Sequence, residues 1–282
     1  MVIEEEQYTS LLNAEDIRRK TKEFESLDLS LESEERIKSA ILDIFCVERL
    51  GKRVINLSTY LVSFLPNECF YRVRKADSFS KERSLCESDF WGNPSAPQNR
   101  FNREGEHSLY VSSKIETALL ETKVGQKEFF VLIEYSNILP LELSPSTVSN
   151  RYGDESISNE ALRLLNNFIN NLASISICDQ ERYKYKATRA LSDVINMFPE
   201  NIETIRDGML YVSAHTGEME NIVIKGDHTS KLKFNNAWLG FLDDDGAAYF
   251  NKQIFIDERG IRIGNVQKDS LEHVGRITQF PL

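Results

Sequence analysis

The sequence is short of the features that mark several large classes of protein. Only four cysteines, Cys46, Cys69, Cys86 and Cys178, occur in 282 residues, and none forms a CxxC pair. That spacing offers neither a zinc signature nor the density of a secreted disulfide scaffold, so the thiols read as reduced and structural. The longest purely apolar run, Phe129 to Ile133, falls far short of the roughly 20 residues a membrane-spanning helix needs. Glu4, Glu5 and Glu6 stand where a secretory signal would carry Lys or Arg, which makes the cytoplasm the expected location. The four histidines, His107, His215, His228 and His273, show no H-E-x-x-H and no nearby cysteine, so metal-free chemistry is expected. There is no G-x-S-x-G elbow, no G-x-x-x-x-G-K-[ST] phosphate loop and no G-x-G-x-x-G. Positive charge is scarce too: 34 Lys and Arg face 44 Asp and Glu, a net charge of −10. Such a balance argues against a protein that coats nucleic acid or anionic membranes through its overall field.

What is present is an ordinary globular pattern, 41% hydrophobic, with a change of texture along the chain. Residues 1–66 read as an N-terminal helical region. Ile37, Ala40, Ile41, Ile44 and Phe45 recur at helical spacing, with Glu34 and Glu35 in the first turn. From Cys69 short strands alternate with polar loops: Phe70 to Arg74, then Ser108 to Ser112, then a helix over Lys114 to Glu121, then an apolar strand over Glu128 to Tyr135. Two amphipathic helices follow, about 158–174 with Ser158 as its cap and about 181–198. Strands resume at Met209 to Ser213 and Asn221 to Lys225, and Ile254 to Ile263 reads as a hairpin turning at 257–260. Helices first, then mixed strands with helices inserted, predict an α+β fold with small mixed or antiparallel sheets and flanking helices. The expected division is 1–66 and 67–282, with a helical insertion at about 150–200.

One constellation is specific. Phe70-Tyr71-Arg72-Val73 is followed by Asn99-Arg100-Phe101-Asn102, then by Leu109-Tyr110-Val111-Ser112, then by Thr117-Ala118-Leu119-Leu120-Glu121. Last comes Leu210-Tyr211-Val212-Ser213, with Asn221-Ile222-Val223 beyond it. These five blocks, in this order over residues 69–225, resemble the RES-domain family, named for Arg, Glu and Ser. Two departures accompany the resemblance. Asn99 stands where the family commonly has glycine, and 92 residues separate Glu121 from Ser213, an interval filled by the two helices.

The resemblance implies a fold similar to the ADP-ribosyltransferase toxins and an enzyme that acts on NAD, commonly a toxin paired with an antitoxin protein. NAD is then a substrate, cleaved by a glycohydrolase or phosphorylase at the nicotinamide–ribose bond. A transferase moving ADP-ribose to a macromolecule and a catalytically silent nucleotide-binding module are the alternatives. On that implication Glu121 is the catalytic carboxylate, which suits the positive charge that develops on the ribose as nicotinamide leaves. Arg72 and Arg100 are the guanidinium clamp for the pyrophosphate, Arg72 being counted with the catalytic groups as well. Tyr110 supplies a ring to cover the nicotinamide or ribose, and Ser213, counted with the catalytic groups as well, a hydrogen bond to the nicotinamide ribose or amide. Without the resemblance, Arg72 would read as a strand arginine paired at the surface, Glu121 as a solvated helix acid, Tyr110 as core and Ser213 as a strand-end cap. Between Arg72 and Arg103 seven basic residues face four acidic ones, a basic island where the resemblance puts the pyrophosphate.

Overall fold

The computed structural model describes residues 13–49, 52–55, 57–75, 89–91, 98–150, 158–175, 179–196, 206–244, 246–257 and 260–265. The first elements are α1 (Ala14–Glu25), α2 (Glu34–Phe45), β1 (Cys46–Arg49), β2 (Lys52–Ile55), β3 (Leu57–Ser58), β4 (Val62–Phe64) and β5 (Cys69–Lys75). The middle of the chain forms β6 (Ser108–Ser112), α3 (Ile115–Thr122), β7 (Phe129–Asn137), β8 (Leu141–Pro145), β9 (Ser149–Asn150), α4 (Asn159–Ala173) and α5 (Tyr185–Asn196). Five strands follow, β10 (Gly208–Val212), β11 (Met219–Lys225), β12 (Leu232–Leu242), β13 (Ala248–Asp257) and β14 (Gly260–Asn265), with a 3-10 turn over Gly226–Lys231 between β11 and β12. Within the span 1–66 read as helical, residues 1–12 lie outside the described residues, two helices occupy 14–45, and strands follow from Cys46. Among the described residues, no helix is long and apolar enough to cross a membrane.

The chain packs as two compact units that do not follow chain order. The first contains Met1–Val62, Gln98–Arg103 and Leu143–Val212, so the N-terminal helices and the helical insertion belong together. Local sequence explains these helices. Asn13 Oδ1 accepts the Asp16 N–H (2.8 Å), Ser33 Oγ that of Arg36 (3.1 Å) and Ser158 Oγ that of Ala161 (3.1 Å), each capping a helix whose first turn is acidic. Their apolar faces meet through Phe24 and Phe168, whose rings make an edge contact at 5.3 Å, and through the buried stripe of Ile37, Ile41, Ile44 and Phe45. The expected second insertion helix is a 3-10 turn over Asp179–Lys184 leading into α5. In the same unit β10 runs parallel to β8, pairing Gly208 with Leu143.

The second unit contains Ser63–Pro97, Glu104–Glu142 and Ser213–Leu282. Seven of its strands lie in the order β14-β13-β12-β7-β5-β6-β11, each antiparallel to its neighbour. This is a larger sheet than the small ones expected from sequence, chiefly because of β12. That strand's Asn235, Asn236 and Gly240 weigh against strand by propensity, yet it bonds to both β7 and β13. Register places Val73, Leu132 and Trp238 side by side in one row, and alternation points all three to the same face. Helix α3 covers that row: Ile115, Ala118 and Leu119 join Val73, Phe130, Leu132, Trp238 and Leu242 in one buried cluster.

The cluster depends on a missing side chain. A Cβ at Gly240 would lie 2.8 Å from the Tyr249 carbonyl oxygen, 2.9 Å from Phe250 Cδ1 and 3.0 Å from Phe130 Cζ, and Phe130 and Phe250 already meet edge to face at 5.8 Å. Gly240→Ala is expected to lower stability by about 1–3 kcal/mol, the usual cost of overpacking. Urea denaturation of the variant checks this, and an unchanged midpoint would contradict it.

Candidate active site

Helix α3 turns Ile115, Ala118 and Leu119 into the sheet, which leaves Glu121 on its flank, half-buried, over the strand pair β6 and β11. Its Oε1 accepts two hydrogen bonds, from Ser213 Oγ at 2.8 Å and from Asn221 Nδ2 at 2.7 Å. Oε2 receives none from the described residues. Each donor is itself held. Ser213 follows directly on β10, is 1% exposed, and its Oγ accepts the backbone N–H groups of His215 (3.2 Å) and Thr216 (3.3 Å). Because the hydroxyl has one proton and gives it to Glu121, its direction is set by three partners. Asn221 Oδ1 accepts from Ser112 Oγ at 2.8 Å, and the two residues sit opposite each other in the β6–β11 ladder. Tyr110 lies two residues before Ser112, on the same face by alternation, opposite Val223 and half-buried.

A second carboxylate braces this arrangement. Glu220, 6% exposed, accepts from Thr117 Oγ1 and from Thr216 Oγ1 (3.3 Å), and pairs with Lys114 Nζ. Those partners belong to the start of α3 and to the turn after Ser213, so Glu220 ties together the two segments that carry Glu121 and Ser213. Burial alone would push its carboxyl up. The hydrogen bonds from Lys114, Thr117 and Thr216, with the charge on Lys114, outweigh that and hold it below the usual range.

The arginines go elsewhere. Arg72 stands between Tyr71, which pairs with Ser112, and Val73, which packs under α3, so it projects from the opposite face of β5. The expected grouping of Arg72 with Glu121 is not formed on this face, because successive strand residues alternate sides. On its own side Arg72 lies by Tyr135, whose hydroxyl donates to the Phe90 carbonyl. Burial pushes that phenol up to about 12 against the opposing pull of Arg72 and Arg74. The Arg72 Nη1 is buried without a hydrogen-bond partner among the described residues. Arg100 belongs to the first unit, where its guanidinium lies 5.6 Å from the centroid of the Tyr211 ring. Part of the basic island is compensated among the described residues. Lys75 pairs with Glu128 (2.6 Å), Arg103 with Glu34 (2.6 Å) and Asp193 (2.9 Å), and Arg74 donates to the Asp89 carbonyl (2.5 Å). Lys81 and Arg83 lie outside the described residues, as do Cys86 and Cys178. Cys46 is buried as expected of a structural thiol, whereas Cys69 is exposed.

Asn221 and Ser112 are the site residues to which sequence alone assigned no role, although both stand within the motif blocks. Glu220 and Thr117 gave less signal, because nothing local indicates that an acid at a strand start and a threonine on a helix share a bond across 103 residues.

The family model of the RES domain matches residues 70–235. No curated protein matches the chain. Among solved structures, the chain is similar to one from the M. tuberculosis MbcT-MbcA toxin-antitoxin complex. The match has 10% identity and a TM-score of 0.37, and it covers 73% of this chain and 93% of that one.

The lowered carboxyl of Glu220 gives a signed pH dependence. Its contribution to stability is complete above the unfolded carboxylate value of about 4.3 and disappears as pH falls through the lower folded value. Thermal unfolding followed from about pH 6 to about pH 3 should show wild type losing stability more steeply than Glu220→Gln. Parallel curves would contradict the assignment.

Proposed function

Because the chain belongs to the RES-domain family, we propose that it cleaves NAD at the nicotinamide–ribose bond and hands ADP-ribose to water or phosphate. The observation that carries this reading is the Glu121 carboxylate, fixed through one oxygen by Ser213 and Asn221 while the other oxygen is unclaimed. As the bond to nicotinamide stretches, the ribose acquires oxocarbenium character. A carboxylate already oriented, and needing no reorganisation, stabilises that charge more in the transition state than in the ground state. Nicotinamide leaves as a neutral base, so no second acid is needed to protonate it.

In this reading Glu121 Oε2 faces the nicotinamide ribose. Ser213 and Asn221 are positioning residues: both donate to Glu121, while Ser213 Oγ accepts from the backbone N–H groups of His215 and Thr216 and Asn221 Oδ1 accepts from Ser112. Tyr110 shields the reacting centre from water with its ring. Arg72 supports β5 from the far face. The activity depletes NAD in the cytoplasm of the cell that makes it, and a cognate antitoxin protein restrains it.

Purified protein incubated with NAD should release nicotinamide. Glu121→Gln keeps the shape and deletes the charge, so kcat should fall about 100- to 1,000-fold with the melting temperature little changed. Ser213→Ala should cost about tenfold in kcat. Labelled NAD identifies the acceptor: label in small molecules supports hydrolysis or phosphorolysis, and label on a macromolecule would replace that reading with ADP-ribosyl transfer. No release from folded protein under any of these conditions would overturn the proposal.

A further inference from the structure

The face of the sheet that carries Asn221 does not become apolar where α3 ends. Strand register continues in a row across five strands: Asn221 on β11, Ser112 on β6, Tyr71 on β5, Glu134 on β7 and Asn236 on β12. Gln253 on β13 extends it by donating to Asn236 Oδ1 at 3.1 Å. This row lies one step beyond Val73, Leu132 and Trp238, which α3 covers. The following step is polar as well, with Cys69 opposite Ser136, and Ser136 Oγ donating to Asn235 Oδ1 at 3.0 Å. A sheet face that was only waiting for a core would be apolar at these positions.

Glu134 is the anomaly in the row. It is 7% exposed, and no Lys or Arg among the described residues pairs with it. Its Oε1 accepts from Asn235 Nδ2 at 3.2 Å and Asn236 Nδ2 at 3.5 Å, and its Oε2 from none of the described residues. A carboxylate taken out of water without a cation is costly unless a function keeps it there. Its negative field reaches its neighbours. Partial burial first, then Glu134 with Glu68, pushes the Cys69 thiol up, and burial with Cys69 and Glu134 raises the Tyr71 phenol. Glu134 thus repeats the pattern of Glu121, one oxygen held by an amide and the other open. Three strand spacings separate β7 from β11, about 14 Å at the usual interstrand distance, a span suited to the two riboses at the ends of a pyrophosphate bridge.

We propose that Glu134, with Tyr71 and Asn236 beside it, forms a second ribose subsite that accepts hydrogen bonds from the vicinal diol of the adenosine half and rejects a phosphate at the 2′ position. This rests on the reading of the Glu121 site as an NAD site. The open Oε2 is an acceptor, and a ribose diol presents two adjacent donors to it. A 2′-phosphate would set about two negative charges against a carboxylate that no cation offsets, so the same group supplies attraction for one dinucleotide and repulsion for the other.

Calorimetric titration of the full chain with ADP-ribose and with 2′-phospho-ADP-ribose tests this directly, alongside nicotinamide release from NAD and NADP. Wild type should bind ADP-ribose at least about tenfold more tightly than its 2′-phosphate, the scale of a hydrogen bond to a charged group. Glu134→Gln should raise the KM for NAD while leaving kcat near wild type, and should bring the two affinities within about threefold of each other. Glu134→Asp keeps the charge but withdraws it by one methylene, so it should lose ADP-ribose affinity yet still reject the 2′-phosphate. The Asp variant alone decides the matter if the Gln variant does not fold. An unchanged affinity ratio in Glu134→Gln, equal binding of both ligands by wild type, or no binding of ADP-ribose would overturn the subsite. Glu134-dependent binding without nicotinamide release would instead uphold the subsite and defeat the cleavage reading.

Discussion

Helix α3 lies against the second unit's sheet through Ile115, Ala118 and Leu119, and the chemistry of that unit depends on where this contact stops. The helix is short, eight residues, and its macrodipole and propensity alone would not hold it. Burial of Val73, Phe130, Leu132, Trp238 and Leu242 beneath it provides the stabilisation, and Gly240 provides the space for two of the rings. Once the helix is seated, Glu121 on its last turn is held over Asn221 and can reach Ser213 with a single oxygen. The apolar row is therefore the positioning device for the carboxylate.

The polar groups around Glu121 form a network in which the orientation of each is set by a neighbour that is itself fixed. Ser112 directs Asn221, two backbone amides direct Ser213, and Glu220 fastens the start of α3 to the turn that follows Ser213. In a partly dehydrated setting such bonds are stronger than in water, and a broken member is costly. The outcome is a carboxylate with one committed oxygen and one open oxygen. The same half-committed pattern recurs at Glu134 three strands away, where asparagine amides are the donors among the described residues. Glu121 and Glu134 thus give this face a polar floor with which no Lys or Arg of the described residues pairs, whereas Lys75 in the same unit pairs with Glu128.

Much of this was legible in the residues themselves. The caps at Asn13, Ser33 and Ser158, the strands around Phe70, Leu109 and Val131, and the ordered blocks ending at Glu121 and Ser213 are local signals, because capping, alternation and motif spacing are properties of a few consecutive residues. The α+β class and membership of the RES-domain family followed from them and agree with the sheet and the family match. β12 was not legible, since its asparagines look like turn residues until β7 and β13 are seen to bond on either side. Nor could composition reveal that the N-terminal helices and the helical insertion, more than 100 residues apart, share one unit.

The sequence by itself determined which residue types were available: a carboxylate on a helix end, a serine after a strand, an asparagine in the next strand and two arginines in motif positions. Only the tertiary structure decided which of them meet. Strand alternation sends Arg72 to the face away from Tyr71 and Val73, while register carries Asn221, Ser112, Tyr71, Glu134 and Asn236 into one line. The physical reason is that a side chain's face is a local property with period two, but the face that receives the helix is chosen by burial summed over strands distant in the chain. A motif can therefore name Glu121 and Ser213, and it takes the packed sheet to show that one oxygen of Glu121 is held and the other left open.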